Sequence, residues 1–277
     1  MVFSRSRTQT RFVLLPPSRL AVTGSFWNIE SNNRRHDELF ADMQRFRGQV
    51  YRADGAIQAD ELTSDGRHKM AIDEESWHIL SLDTRGRVVS CLRFLDESSA
   101  SGFDDLWIRH AALAKCPTLG RRFRRAVEEG MARARQSRMG FCEVGGWAVA
   151  ESHRHTMEPV RLILAACGLA EVLGGCKGMV TATFRHNSAM ILRRIGLHPL
   201  HANGEELPPY YDPHYRCQMQ VLQFDSGRPN PKYYDWFAEI AEQMAMTPVI
   251  ERESFVDSLH GFVRGFEIPA EPALAPA

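Results

Sequence analysis

Apolar positions recur at three- and four-residue intervals over residues 36–52, where Leu39, Phe40, Met43, Phe46 and Val50 share one face, and this spacing predicts an amphipathic helix. Residues 54–74 are polar and interrupted by glycine, so they read as a long loop. In SWHILSLDTRGRVVSCLRFLD two apolar runs flank Asp83-Thr84-Arg85-Gly86, the pattern of a β-hairpin. A strongly basic helix is predicted over 117–138. A strand follows over 141–149, with an irregularity at Gly145-Gly146. The largely apolar segment 157–173 predicts a helix packed on a sheet and ended by Gly174-Gly175. GMVTATFR then reads as a strand, NSAMILRRIG as a short helix stopped by Gly196, and RCQMQVLQFD as a late strand. This order predicts an α/β (α+β) fold: one mixed, largely antiparallel sheet with helices on both faces and a βαβ unit in its second half.

With 277 residues, 44% of them hydrophobic, the chain can bury one sizeable core with extensions at both ends. The expected division is an N-terminal arm over 1–35, the sheet domain over 36–250 and a C-terminal extension over 251–277, whose proline- and alanine-rich end is expected to be disordered. Lysine plus arginine equals aspartate plus glutamate at 34 each, which removes any global electrostatic case for nucleic acid or membrane binding. No apolar stretch reaches eighteen residues, and the apolar run near the N-terminus stops at Pro16-Pro17. A cytoplasmic protein without a membrane span is expected. The six cysteines form no CxxC pair and no Cys/His zinc spacing, so they read as reduced thiols, and no metal site is expected.

The segment VTATFRHNSAMILRRIGLHPL resembles the last βα unit of the GNAT superfamily, with Asn187, Ala189, Leu192, Gly196 and Leu197 in the motif positions. Further upstream, FRGQVYRADG, DEESWHILSLDTRGRVVSCLRFLDE and CEVGGWAV resemble the autoinducer (acyl-homoserine-lactone) synthases and, more closely, the long-chain N-acyl amino acid synthases. The resemblance spans residues 40–225. It implies an acyltransferase that draws a fatty acyl chain from acyl carrier protein and places it on the amine of an amino acid or similar small molecule. It also places Arg47 and Tyr51 in the first-helix Arg-x-x-x-aromatic pattern, Arg93 at the end of the hairpin and Glu143 as the acidic residue of the central strand. Two departures speak against the lactone reaction: Gly146 stands where the autoinducer synthases have arginine, and the stretch RADGAIQADEL directly after Tyr51 has no tryptophan where they usually carry one.

Coenzyme A-dependent acetyltransferases cradle pyrophosphate on a glycine-rich loop at a helix N-terminus. The matching stretch here, ESHRHTMEPVRL, has no glycine and places Glu158 and Pro159 where amide donors are needed. The expected donor is therefore acyl-phosphopantetheine on a carrier protein, with acyl-coenzyme A as the alternative and no permanently bound cofactor. A catalytically silent domain that binds a carrier or ligand is the reading from another class.

Amide formation from a thioester requires a neutral amine, a polarised carbonyl and a leaving thiolate. Glu143 is the candidate base, against a plain ion pair with an arginine such as Arg93. Arg47 and Arg93 are candidates for holding an acceptor carboxylate, a bidentate task suited to arginine, against ion pairs with Asp65 or Asp73. Trp147, Ala148, Val149 and Asn187 are candidates for the acyl and pantetheine arm, against core packing and helix capping. In EELPPYYDPHYR, Tyr211 is the candidate acid for the leaving thiolate and Tyr210 an acceptor-side residue, with Tyr215 a further possibility. Arg154, Arg161, Arg193 and Arg194 are candidates for docking an acidic carrier protein, against ordinary solvated charge.

Overall fold

In the computed structural model, which describes residues 10–253 except Ala21 and Thr23, the expected hairpin and βαβ unit lie side by side in one sheet. The strands are β1 (Arg11–Leu15), β2 (Ile29–Ser31), β3 (Trp77–Leu82), β4 (Val88–Asp96), β5 (Gly140–Val149) and β6 (Cys176–Thr183). They continue with β7 (His198–Pro199), β8 (His201–Ala202), β9 (Glu205–Glu206), β10 (Tyr210–Asp212), β11 (Cys217–Asp225) and β12 (Val249–Glu251). Five helices accompany them: α1 (Asn33–Ala53), α2 (Gly120–Gln136), α3 (Glu158–Val172), α4 (Ser188–Ile195) and α5 (Tyr234–Met246). The main sheet runs β10-β11-β6-β5-β4-β3-β1-β12-β2, with β7 against β11, while β8 and β9 pair separately. It is mixed and mostly antiparallel. Its parallel pairs are β5 with β6, β1 with β12 and β12 with β2.

Alternation along the strands sends side chains to two faces. Phe12, Leu14, Ile79, Leu92, Val144 and Val180 face α3 and α5, where they meet Leu162, Leu169, Phe237 and Met244. These two helices approach closely at Gly168, where a Cβ would lie 3.0 Å from the Cα of Ala241. The opposite face is shared. Val13, Leu15, Leu80 and Cys91 pack under α1, and Phe141, Met179 and Val221 pack under α2.

Three stretches depart from the sequence reading. The arm is not separate from the domain, because β1 is inserted between β3 and β12, pairing Leu14 with both Ile79 and Val249, and its residues 12–15 are at most 2% exposed. RFVLL is a short apolar run whose partners lie far along the chain, so local pattern could not assign it. Helix α5 went unread, and residues 103–115, also unassigned, form three short 3-10 turns. The expectation of a disordered C-terminal end falls at 254–277, outside the described residues. Among the described residues no helix is long and apolar enough to cross a membrane.

Candidate active site

The site begins with a parting of two strands. β5 and β6 pair in parallel from Gly140↔Cys176 to Val144↔Val180 and then stop, while β5 continues along β4 to Val149 and β6 continues along β11 to Thr183. The cause is the irregularity expected at Gly145-Gly146. Between Cys91↔Ala148 and Arg93↔Gly145 strand β5 has one residue more than β4, and Gly146 sits at φ +60°, where a side chain would be strained. This bulge re-aims Trp147, Ala148 and Val149 along the open edge. Tyr51 Oη and Arg154 Nε reach that edge, donating to the carbonyls of Trp147 (3.4 Å) and Val149 (3.2 Å).

The parting opens into a cleft of about 1190 Å³ bounded by α1, the 3-10 turns, β5, β6, the start of α4 and the β10–β11 connection. A single drug-sized ligand fills roughly 300–1,000 Å³, so this volume suits two substrates held together. Glu143, Arg93, Trp147, Ala148, Val149, Asn187, Tyr210, Arg154 and Arg194 all line it.

Glu143 and Arg93 project from the sheet face between the α1 and α2 clusters. Arg93 Nη2 donates to Glu143 Oε1 at 2.9 Å, and both side chains are buried. Glu143 Oε2, Arg93 Nε, Trp147 Nε1 and Tyr210 Oη are buried without a hydrogen-bond partner. Burial of this kind costs free energy unless a ligand completes the bonds. Burial raises the Glu143 pKa, and the charge and hydrogen bond of Arg93 oppose the rise without cancelling it. Burial also lifts the Tyr210 phenol well above its ordinary value, with nearby carboxylates adding to the shift, so it stays protonated.

Asn187 stands at the head of α4 in the left-handed conformation (φ 58°), and its side chain makes no capping bond there. The capping reading fails in this respect, and the amide is left on the cleft wall.

Other expected residues sit elsewhere. Arg47 is fully buried beneath the cleft and does not line it. Its Nη1 and Nη2 bond Asp73 at 2.8 and 2.6 Å, and Nη2 also bonds the His68 carbonyl at 2.5 Å. With both terminal nitrogens on Asp73 and its side chain outside the cleft lining, it is not placed to hold an acceptor carboxylate. It anchors the 68–73 segment instead, which carries Met70 to within 3.7 Å of Arg93 Nη1. Tyr211 is 57% exposed and outside the cleft, because alternation on β10 turns it away while Tyr210 points in. Arg161 is spent on Glu158 (3.1 Å) and on the ring of Phe12. Arg193 faces Glu206 at 3.9 Å, outside the cleft wall. The α2 arginines are largely paired on the surface, as in Arg124 with Asp104 and Glu128.

At the start of α3 the Glu158 carboxylate is turned into the protein. Glu158 is fully buried there, accepting from Ser90 Oγ at 2.7 Å, Thr10 Oγ1 at 3.0 Å and Arg161 Nη1 at 3.1 Å, with Pro159 beside it. Asp54, Trp107, Arg185 and His186 join the cleft wall without having been singled out in the sequence. None belongs to a periodic run, and only the fold brings them together.

The splayed sheet and the cleft above it form a GNAT-like fold. Solved structures share it. BjaI, described as a CoA-dependent acyl-homoserine lactone synthase with SAM and isopentyl-CoA, superimposes at a TM-score of 0.52 and 13% identity, over 88% of this chain and 94% of its own. MesI, described as a CoA-dependent acyl-homoserine lactone synthase, gives 0.50 and 13% over 88% and 100%. FeeM, an N-acyl amino acid synthase from uncultured soil microbes, gives 0.45 and 12% over 79% and 93%. No protein-family model and no curated protein matches the sequence. At these identities the likeness to BjaI and MesI establishes the fold alone.

Proposed function

We propose that the protein is an N-acyltransferase that moves an acyl group from a pantetheine thioester to the amine of an amino acid or similar small molecule. The observation that carries this reading is the buried Glu143–Arg93 pair, with its unpartnered Oε2, on the floor of a cleft opened by a strand parting. A pantetheine arm laid along Trp147–Val149 would put its amides beside an open strand edge and beside Asn187. Glu143, its basicity raised by burial, takes the proton from the attacking amine. The amine attacks the thioester carbon, the tetrahedral oxyanion collapses, and the thiolate leaves under a hydrogen bond from the Tyr210 phenol, taking the proton that Glu143 received from the amine, so that Glu143 is returned to its starting state. Arg93 holds Glu143 in place and presents its remaining donors to an acceptor carboxylate.

The proposed donor is acyl carrier protein, because the segment leading into α3 has no glycine loop to cradle a coenzyme A pyrophosphate and Pro159 offers no N–H there. Arg154, Arg185, Arg194 and Lys115 give the cleft a basic rim that complements an acidic carrier. A coenzyme A donor is the second reading, favoured by the descriptions of BjaI and MesI as CoA-dependent. Comparing kcat/KM for one acyl chain on the two donors tests the choice. A carrier thioester preferred by tenfold or less, or a coenzyme A thioester preferred outright, removes the case for the carrier.

A further inference from the structure

We propose that Arg154, Arg185 and His186 form a seat for a single phosphate, and that Asp54 is an internal carboxylate that holds this seat until a phosphorylated ligand displaces it. The proposal rests on the reading of the cleft as a pantetheine thioester site and assigns the phosphate-recognising residues of that site.

Asp54 caps the C-terminus of α1 and lines the cleft. Its Oδ2 accepts from Arg154 Nη2 at 2.8 Å and lies 3.8 Å from His186 Nε2. Its backbone carbonyl accepts from Arg185 Nη1 at 3.3 Å. Arg154 follows β5 and the Arg185-His186 pair follows β6, so the three basic groups straddle the parting of the strands. Of the three carboxylates lining the cleft, Glu143 is held by Arg93 and Asp212 by the N–H groups of His214 and Tyr215. Asp54 is the one set among the basic side chains of the rim.

Its position is electrostatically poor. A carboxylate at the C-terminus of a 21-residue helix faces the negative end of the helix dipole, so the basic groups, not the helix, keep it there. Free 4'-phosphopantetheine, a monoester, carries about −1.5 to −2 at pH 7, but the phosphodiester of a carrier-bound arm carries the same single negative charge as Asp54. Exchange of one anion for the other is therefore close to neutral in charge, and contacts along the pantetheine arm decide it. The seat takes one phosphate, since the segment leading into α3 has no glycine loop and Pro159 has no N–H to offer a second.

Binding of pantetheine and of 4'-phosphopantetheine is measured by calorimetry at equal ionic strength. Wild type is expected to prefer the phosphorylated probe, and Arg154→Gln with Arg185→Gln to lose that preference. Asp54→Asn is expected to bind 4'-phosphopantetheine about fivefold more tightly, as removal of a partly exposed competing ion pair allows, with pantetheine unchanged. A purely structural pair gives the opposite result, weaker binding of both probes on loss of Asp54. Equal affinity of wild type for the two probes, or no gain in Asp54→Asn, overturns the seat and leaves the cleft reading standing. Failure of both probes to bind overturns both.

Discussion

Arg93 meets Glu143 through one carboxylate oxygen only, at 2.9 Å, and leaves the other buried without a partner. An unmet buried acceptor costs about 1–3 kcal/mol, which a substrate donor at this oxygen would recover. In the proposed reaction the free oxygen of this half-met pair is the one that takes the proton of the attacking amine.

Glu143→Gln is accordingly expected to lower kcat by about 10²–10⁴-fold while the fold is retained, since the amide keeps the shape and an acceptor for Arg93. The pH dependence follows from the direction of the Glu143 shift. Activity of the wild type rises with pH as the carboxyl ionises, and that limb lies above the ordinary carboxylate range because burial raises the pKa. A kcat/KM–pH profile checks this, and the acidic limb should vanish from the variant's residual activity.

The two glycines of the bulge separate strain from site geometry. A Cβ at Gly145 would lie 2.9 Å from Arg93 Nη2, so Gly145→Ala should displace the guanidinium from Glu143 and reduce turnover more than stability. Gly146→Ala places a side chain at φ +60° and should cost about 1–2 kcal/mol in denaturant unfolding.

Tyr210→Phe should reduce kcat by about tenfold, through loss of the hydrogen bond to the departing thiolate, whereas the exposed Tyr211→Phe should leave kcat unchanged. Steady-state assays of the two variants distinguish the neighbours directly. The contrast arises from strand alternation alone.

Glu97 supplies a stability test. It is buried after β4, its Oε1 accepts from the Trp107 N–H at 2.6 Å, and burial raises its pKa from 4.5 to about 7. The folded state therefore binds this proton more tightly than the unfolded state, so its contribution to stability falls as pH rises from about 4.5 to 7. Glu97→Gln keeps the acceptor and removes the charge. It should stabilise the protein at pH 8 by on the order of 2–3 kcal/mol and far less at pH 5. Urea unfolding at both pH values reads the difference.

The elements legible in the sequence were those with local signals: the α1 period, the hairpin around Asp83–Gly86, the irregular glycines of β5 and the Gly196 stop of α4. β1 and the cleft partners Asp54, Trp107 and His186 were not legible, because their role depends on contacts across the chain. Arg47 was singled out as a site residue for its residue type, and only the structure reveals the Asp73 carboxylate that fills its guanidinium. Tyr210 and Tyr211 were both visible as aromatics, and their division into cleft and solvent waited on the facing of β10.

Incubating the purified protein with an acyl carrier protein thioester and pooled amino acids, and reading the products by mass, tests the proposed transfer most directly. An N-acylated amino acid should appear with wild type, with matching release of free carrier thiol, and fall to background with Glu143→Gln. Thiol release without an amide product, or an amide yield unchanged in Glu143→Gln, would contradict it.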